Sequence, residues 1–152
     1  MLKRIMGKFC RGDAAVIDKP NFSYFQNVVV HGVDLVEMSS FSRLITKQAN
    51  SCLDRYFTLG ELAAVGEGVD RIDKLASRFA IKESILKALG TGWGDGVSYT
   101  DVEVVSQQRG APSVILHRQL LIIAEEQGIG RWLVSASHAG SITIASVIGL
   151  KL

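Results

Sequence analysis

Hydrophobic and polar positions divide the chain into an unpatterned stretch and a patterned body. Residues 1–27 show no sustained period and include Pro20, which marks them as an N-terminal extension, packed across the surface or partly disordered. The patterned domain spans 28–152. Its first segment, VVVHGVDLVE (28–37), is β-branched and apolar around Gly32 and predicts a buried strand ending at Asp34 or soon after. A helix is expected from Ser39 or Ser40 to about Ala49. Thr58 followed by Glu61 matches a capping box, in which each residue satisfies a backbone donor of the other, and predicts a short helix ending at Gly66 to Gly68. The strongest helical signal covers 73–90: Asp73 caps it, good helix formers fill it and Gly90 stops it. GTGWGDG (90–96) reads as a loop tolerant of positive φ. Strands follow at 98–106 and 113–116 across a turn with Gly110 and Pro112, then an amphipathic helix at 117–127 ended by Gly128. Two last strands, 132–138 and 141–149, meet at a tight turn at Ala139-Gly140.

Composition narrows the class. At 152 residues and 47% hydrophobic content the chain can bury one sizeable core, so one compact domain is expected. No apolar run approaches the roughly 18 residues of a membrane span, and the basic N-terminus lacks a secretory apolar stretch and cleavage site. Cys10 and Cys52 sit in no metal-binding spacing and read as free thiols in a reducing cytoplasm. Residues 1–27 carry a net charge of +3 and residues 28–152 a net charge of −1. A body without excess positive charge argues against nucleic acid as a partner.

Candidate chemistry centres on the long helix. At 100° per residue Glu83 and Lys87 lie about 40° apart, with Ala76, Phe79 and Ala80 on the same side, where small residues leave room for a ligand. The plainer reading is a surface i,i+4 ion pair worth about 0.3–0.5 kcal/mol. Asp34, at the end of an apolar strand, is costly to bury without a partner or a cation. It fits a structural cap or turn residue; paired with Glu83, it would also supply the oxygen ligands magnesium favours. GTGWGDG has Asp95 where a dinucleotide-binding GxGxxG starting at Gly90 needs glycine, and it follows a helix rather than a strand. His138, in SASHAG, stands at a strand end where polar groups converge; His31 and His117 read as structural. No GxSxG nucleophile elbow occurs.

In order along the chain stand GVDLVEM (32–38), TLGEL (58–62), SRFAIKESILKALGTG (77–92), DVEVV (101–105), GAPSVIL (110–116) and VSASHAG (134–140). From about Val28 to Gly149 this series resembles the holo-acyl-carrier-protein synthases, a group of phosphopantetheinyl transferases. The pattern RFAxKExxxKALGTG is its most specific part. The resemblance implies an α+β fold, a small antiparallel sheet packed with a long central helix, assembled as a homotrimer with active sites at subunit boundaries. It implies a cytoplasmic enzyme of fatty-acid and lipid metabolism that moves 4'-phosphopantetheine from coenzyme A to a serine of an acyl carrier protein, releasing adenosine 3',5'-bisphosphate. By position it makes Asp34 and Glu83 magnesium ligands, in agreement with the pairing read from the residues alone. It assigns phosphate binding to Lys87, with Glu83 and Lys87 as the catalytic pair. Arg78 and His138 would contact coenzyme A phosphates, and Gly90, Thr91 and Pro112 would line the coenzyme A groove. The serine proton would pass to a metal-bound water or to a carboxylate such as Glu83.

The chain departs from the group on the second element, which commonly carries an arginine where Ser40 stands. Arg43 and Lys47, about a turn apart on one face, are the candidate carrier-protein contacts instead. A specialised, less acidic carrier, or docking helped by the basic extension, follows from that departure. Two competing readings are a non-catalytic relative that binds coenzyme A or a carrier protein, and another magnesium-dependent phosphotransfer enzyme on a similar fold. Asp34, Glu83 and Lys87 argue against the first, and the lack of a nucleoside-triphosphate loop weighs against a kinase form of the second.

Overall fold

A computed structural model describes residues 27–47, 53–94, 96–107 and 110–151. The extension up to residue 26, Cys10, Cys52 and the expected helix end at Ala49 lie outside the described residues. Strand β1 (Val28–Glu37) leads directly into α1 (Met38–Lys47), followed by two short helices, α2 (Leu53–Tyr56) and α3 (Leu59–Val65). The long helix α4 (Arg71–Leu89) comes next, then a single 3-10 turn (Tyr99–Asp101), strands β2 (Val102–Ser106) and β3 (Pro112–Leu116), helix α5 (Arg118–Glu126), and strands β4 (Ile129–Ala139) and β5 (Ile142–Lys151). The fold is α+β, as the family pattern implied. β1, β5 and β4 form one antiparallel sheet in that order, and β2 pairs with β3 in a separate ribbon.

Local signals account for most ends. Thr58 and Glu61 form the expected capping box at α3, and Gly66 closes that helix at φ 65°. Gly90 closes α4 in the left-handed region at φ 68°. At its other end α4 begins at Arg71 rather than with Asp73 as cap; Asp73 lies within the first turn. Asp70 holds the cap position, but its carboxylate is turned to Lys74 at 2.8 Å and caps nothing. The strand expected from Ser98 starts only at Val102, because Ser98 and Asp101 cap each other around the 3-10 turn. β4 and β5 outrun their expected lengths, since pairing continues past a register shift near Ile129 to Lys151.

The core lies between α4 and one face of the three-stranded sheet. Leu75, Ala76, Ala80, Ile85 and Leu86 pack there with Val36, Ala145 and Val147. Ala76 and Ala80 are fully buried, so they seat the helix on the sheet and leave no ligand space, contrary to expectation. Gly32 sets the separation: a Cβ there would lie 2.0 Å from the Ser84 carbonyl oxygen and 2.9 Å from the Ala88 nitrogen. No described element covers the opposite face. Cross-strand neighbours share a face, so the rows Leu35–Ile144–Ser137 and His31–Ile148–Leu133 point away from α4. Leu35 is 62% exposed, and Val33, Leu133, Ile142 and Ile144 are also exposed.

Candidate active site

The close seat of β1 on α4 decides where Asp34 goes. Two residues beyond Gly32 on the same face, it meets the next part of α4, and Lys87 Nζ donates to Asp34 Oδ1 at 2.6 Å. The Lys87 side chain is 56% exposed and that of Asp34 12%. The hydrogen bond to Asp34 raises the Lys87 pKa above the usual lysine value, with Glu83 adding a smaller pull in the same direction. No ion pair joins Glu83 to Lys87, so the surface i,i+4 reading gives way to a pairing between strand and helix.

Glu83 is held by aromatic donors. Tyr99 Oη donates to Glu83 Oε1 at 2.8 Å and Trp93 Nε1 to the same oxygen at 3.0 Å. Tyr99 stacks on Trp93 with ring centroids 3.4 Å apart and on Phe79 at 5.4 Å, while Tyr56 meets it edge-on at 4.8 Å. Burial first, and then the Glu83 carboxylate, push the phenol far above its ordinary pKa, so it stays a donor at physiological pH. Asp34 and Glu83 both line a cavity of about 490 Å³ with Phe79, Phe41 and Ser40.

The pair suits a hard cation. Asp34 Oδ2 and Glu83 Oε2 have no donor among the described residues, and both side chains line the same cavity. No group of three or more His, Cys, Asp or Glu that could hold a metal occurs among the described residues. Two carboxylates with room for water and phosphate fit magnesium, which keeps several non-protein ligands, better than zinc, which takes three or four protein ligands.

A second cavity, of about 300 Å³, brings Arg78 and Pro112 together with Lys74, Ser77 and Gly110. Arg78 is buried, donates to the Lys74 carbonyl at 3.3 Å, and its buried Nε has no partner among the described residues. Burial pulls its pKa below the usual guanidinium value, opposed by Glu61. An unmatched buried donor on a cationic group is costly, and the guanidinium gives the cavity it lines a positive charge suited to an anion. Gly90, Thr91 and His138 line neither cavity: the first two finish α4, and His138 is exposed near the end of β4 opposite Thr143. Arg43 is exposed and folds back along α1, donating to the Ser39 carbonyl and to Ser40 Oγ, both at 3.3 Å. Lys47 is the last residue of α1.

Sequence reasoning missed Trp93, Tyr99 and the buried pair Glu61–Lys82. Lys82 Nζ donates to Glu61 Oε2 at 2.8 Å, to the Tyr99 carbonyl at 2.9 Å and to the Val102 carbonyl. Glu61 Oε1 accepts from Val104 N at 3.0 Å. The capping box pointed to Glu61 alone; nothing in the local pattern pointed to Lys82 as its partner.

Carboxylates with open oxygens beside a lysine, on an α+β frame, define an enzyme suited to phosphate groups. Residues 31–143 match the family described as the 4'-phosphopantetheinyl transferase superfamily, and the chain belongs to it. The chain is 36% identical over 121 residues to a holo-[acyl-carrier-protein] synthase of Solibacter usitatus, covering 80% of this chain and 97% of the relative. It is 40% identical over 114 residues to one of Moorella thermoacetica, covering 75% and 88%. The solved synthase of Neisseria meningitidis superposes with a TM-score of 0.73 at 30% identity, covering 80% of this chain and 98% of that one. That of Bacillus anthracis, solved in complex with coenzyme A (3',5'-ADP), superposes at 0.67 with 27% identity, covering 83% and 99%.

Proposed function

We propose that this chain is a holo-[acyl-carrier-protein] synthase whose reaction takes place at Asp34, Glu83 and Lys87. It transfers 4'-phosphopantetheine from coenzyme A to a serine of an apo acyl carrier protein and releases adenosine 3',5'-bisphosphate. The observation that carries the site assignment is the meeting of Asp34 and Lys87, 53 residues apart, at 2.6 Å beside a cavity that Glu83 shares with Asp34.

In this reading the serine oxygen bonds to the phosphorus on the pantetheine side, the bridging P–O bond breaks, and its electrons leave with the adenosine bisphosphate. The serine proton passes to a bound water or to a carboxylate such as Glu83. Asp34 and Glu83 would hold magnesium, which would supply neutralisation of charge on the pyrophosphate. Lys87, exposed at its tip, supplies a fixed positive charge to the phosphates. Arg78 takes a coenzyme A phosphate in the cavity it lines with Pro112.

Gly90, Thr91 and His138 stand apart from both cavities within one chain, which supports a groove completed by a neighbouring subunit. The exposed apolar rows around Leu35, Ile144 and Leu133 support self-association, since free monomers seldom leave such a patch in water, and a homotrimer is the proposed assembly. The carrier protein docks along α1 through Arg43 and Lys47. No described helix is long and apolar enough to cross a membrane, and the cytoplasm is the proposed location.

The test is to incubate the protein with coenzyme A, magnesium and a panel of apo carrier proteins. A serine-linked mass gain with release of adenosine 3',5'-bisphosphate is expected, and no transfer to any carrier would overturn the reading. Light scattering of wild type and Leu35→Glu should report a trimer and its dissociation.

A further inference from the structure

Tyr99 is gripped at both ends by adjacent residues of α4. Its backbone carbonyl accepts from Lys82 Nζ at 2.9 Å, and its hydroxyl donates to Glu83 Oε1 at 2.8 Å. The first grip is anchored in the core, because Lys82 and its counter-ion Glu61 are fully buried. The ring between the two grips is fixed by Trp93 on one side and Phe79 on the other. Trp93 adds a second donor to the same Glu83 oxygen at 3.0 Å.

Both donors fall on Oε1. A glutamate on an open helix face has three side-chain torsions free, and ordering it for a ligand costs rotamer entropy. Here that ordering is already done, and the oxygen left over, Oε2, belongs to a side chain lining the cavity it shares with Asp34. We propose that Tyr99, assisted by Trp93, is a positioning residue that presents Glu83 Oε2 to the divalent cation. The proposal rests on the reading of Asp34 and Glu83 as cation ligands. It goes beyond that reading by assigning orientation of the ligand to a phenol that does not line the cavity shared by Asp34 and Glu83.

Tyr99→Phe removes the hydroxyl and keeps the aromatic stack. Mn2+ is titrated into the full chain with saturating coenzyme A and no carrier protein, free Mn2+ being read by electron paramagnetic resonance. Loss of a partner that orients a metal ligand weakens affinity by about 10-fold to 100-fold. The expected result is a shift in that range for Tyr99→Phe and a smaller one for Trp93→Phe. In turnover, the magnesium concentration at half-maximal rate should rise far more than the rate at saturating magnesium falls. Trp93→Phe decides the matter if Tyr99→Phe does not fold. Unchanged Mn2+ affinity in the variants, with Glu83→Gln losing it, overturns the role of Tyr99 alone. Undiminished affinity in Glu83→Gln overturns the cation reading and this inference with it.

Discussion

Lys82 and Lys87 both stand on α4 but serve two different kinds of ionic contact. Lys82 turns inward to Glu61, and every hydrogen-bonding group of that pair is matched: the lysine has three acceptors, and both carboxylate oxygens have donors. One turn further along, Lys87 reaches Asp34 at a pair that is more than half exposed on the lysine side and leaves one Asp34 oxygen unmatched. A buried pair survives desolvation only when its remaining donors and acceptors are satisfied, and a pair in that state has nothing left to offer a ligand. An exposed pair contributes about 0–1 kcal/mol to stability, while its open oxygen is available to a cation. The unmatched atoms, rather than the charges, separate the structural pair from the functional one.

Breaking the closed pair should have the largest effect on folding. Lys82→Met leaves Glu61 buried without its counter-ion and is expected to cost about 3–5 kcal/mol in urea unfolding. A loss under about 1 kcal/mol would mean that water reaches the pair. Breaking the open site should do the reverse: Asp34→Ala or Glu83→Ala lowers the transfer rate by about 100-fold to 1000-fold and shifts unfolding by no more than about 1 kcal/mol. Full magnesium-dependent activity in either variant would remove that residue from the site.

Gly32→Ala sharpens the contrast without touching a charge. Its Cβ would sit 2.0 Å from the Ser84 carbonyl oxygen, so β1 must move off α4. The expected cost is about 1–3 kcal/mol, with a drop in transfer rate as Asp34 moves away from Lys87; wild-type stability and rate would show that the seat is not needed. The smallest effect concerns Glu37, where β1 passes into α1. Its carboxylate accepts from the Ser39 hydroxyl and from the backbone of Ser39 and Ser40, with further help from the Ser40 side chain, and these donors hold its pKa at about 2 against an ordinary 4.5. A depressed carboxylate pKa stabilises the fold above the unfolded value, so this contribution is complete above about pH 4.5 and fades as pH falls toward 2. Comparing thermal unfolding of wild type and Glu37→Gln from pH 7 to 2 should show the difference closing over that window.

Asp34, Glu83 and Lys87 were legible in the sequence as charged residues on the right elements, and Glu61 as half of a capping box. Their connections were not. Glu83 and Lys87 have the spacing of a surface pair, yet one is taken by Tyr99 and Trp93 and the other by Asp34. Ala76 and Ala80 looked like space for a ligand and proved to be the seat of the helix on the sheet. Asp70 rather than Asp73 holds the position before α4 and makes no side-chain cap there, so the helix start carried no local signal that sequence could read.

What the sequence determined alone were features whose causes lie within a few residues: the Thr58–Glu61 box, the left-handed Gly90, the order of the strands and of the helices other than α2 and the 3-10 turn, and the family pattern through α4. Tertiary structure decided which charges are paired and which are open. Partners such as Glu61 with Lys82 and Asp34 with Lys87 lie 21 and 53 positions apart. Their choice depends on how closely β1 approaches α4 and on how much water each pair retains, and both are set only once the sheet has closed on the helix.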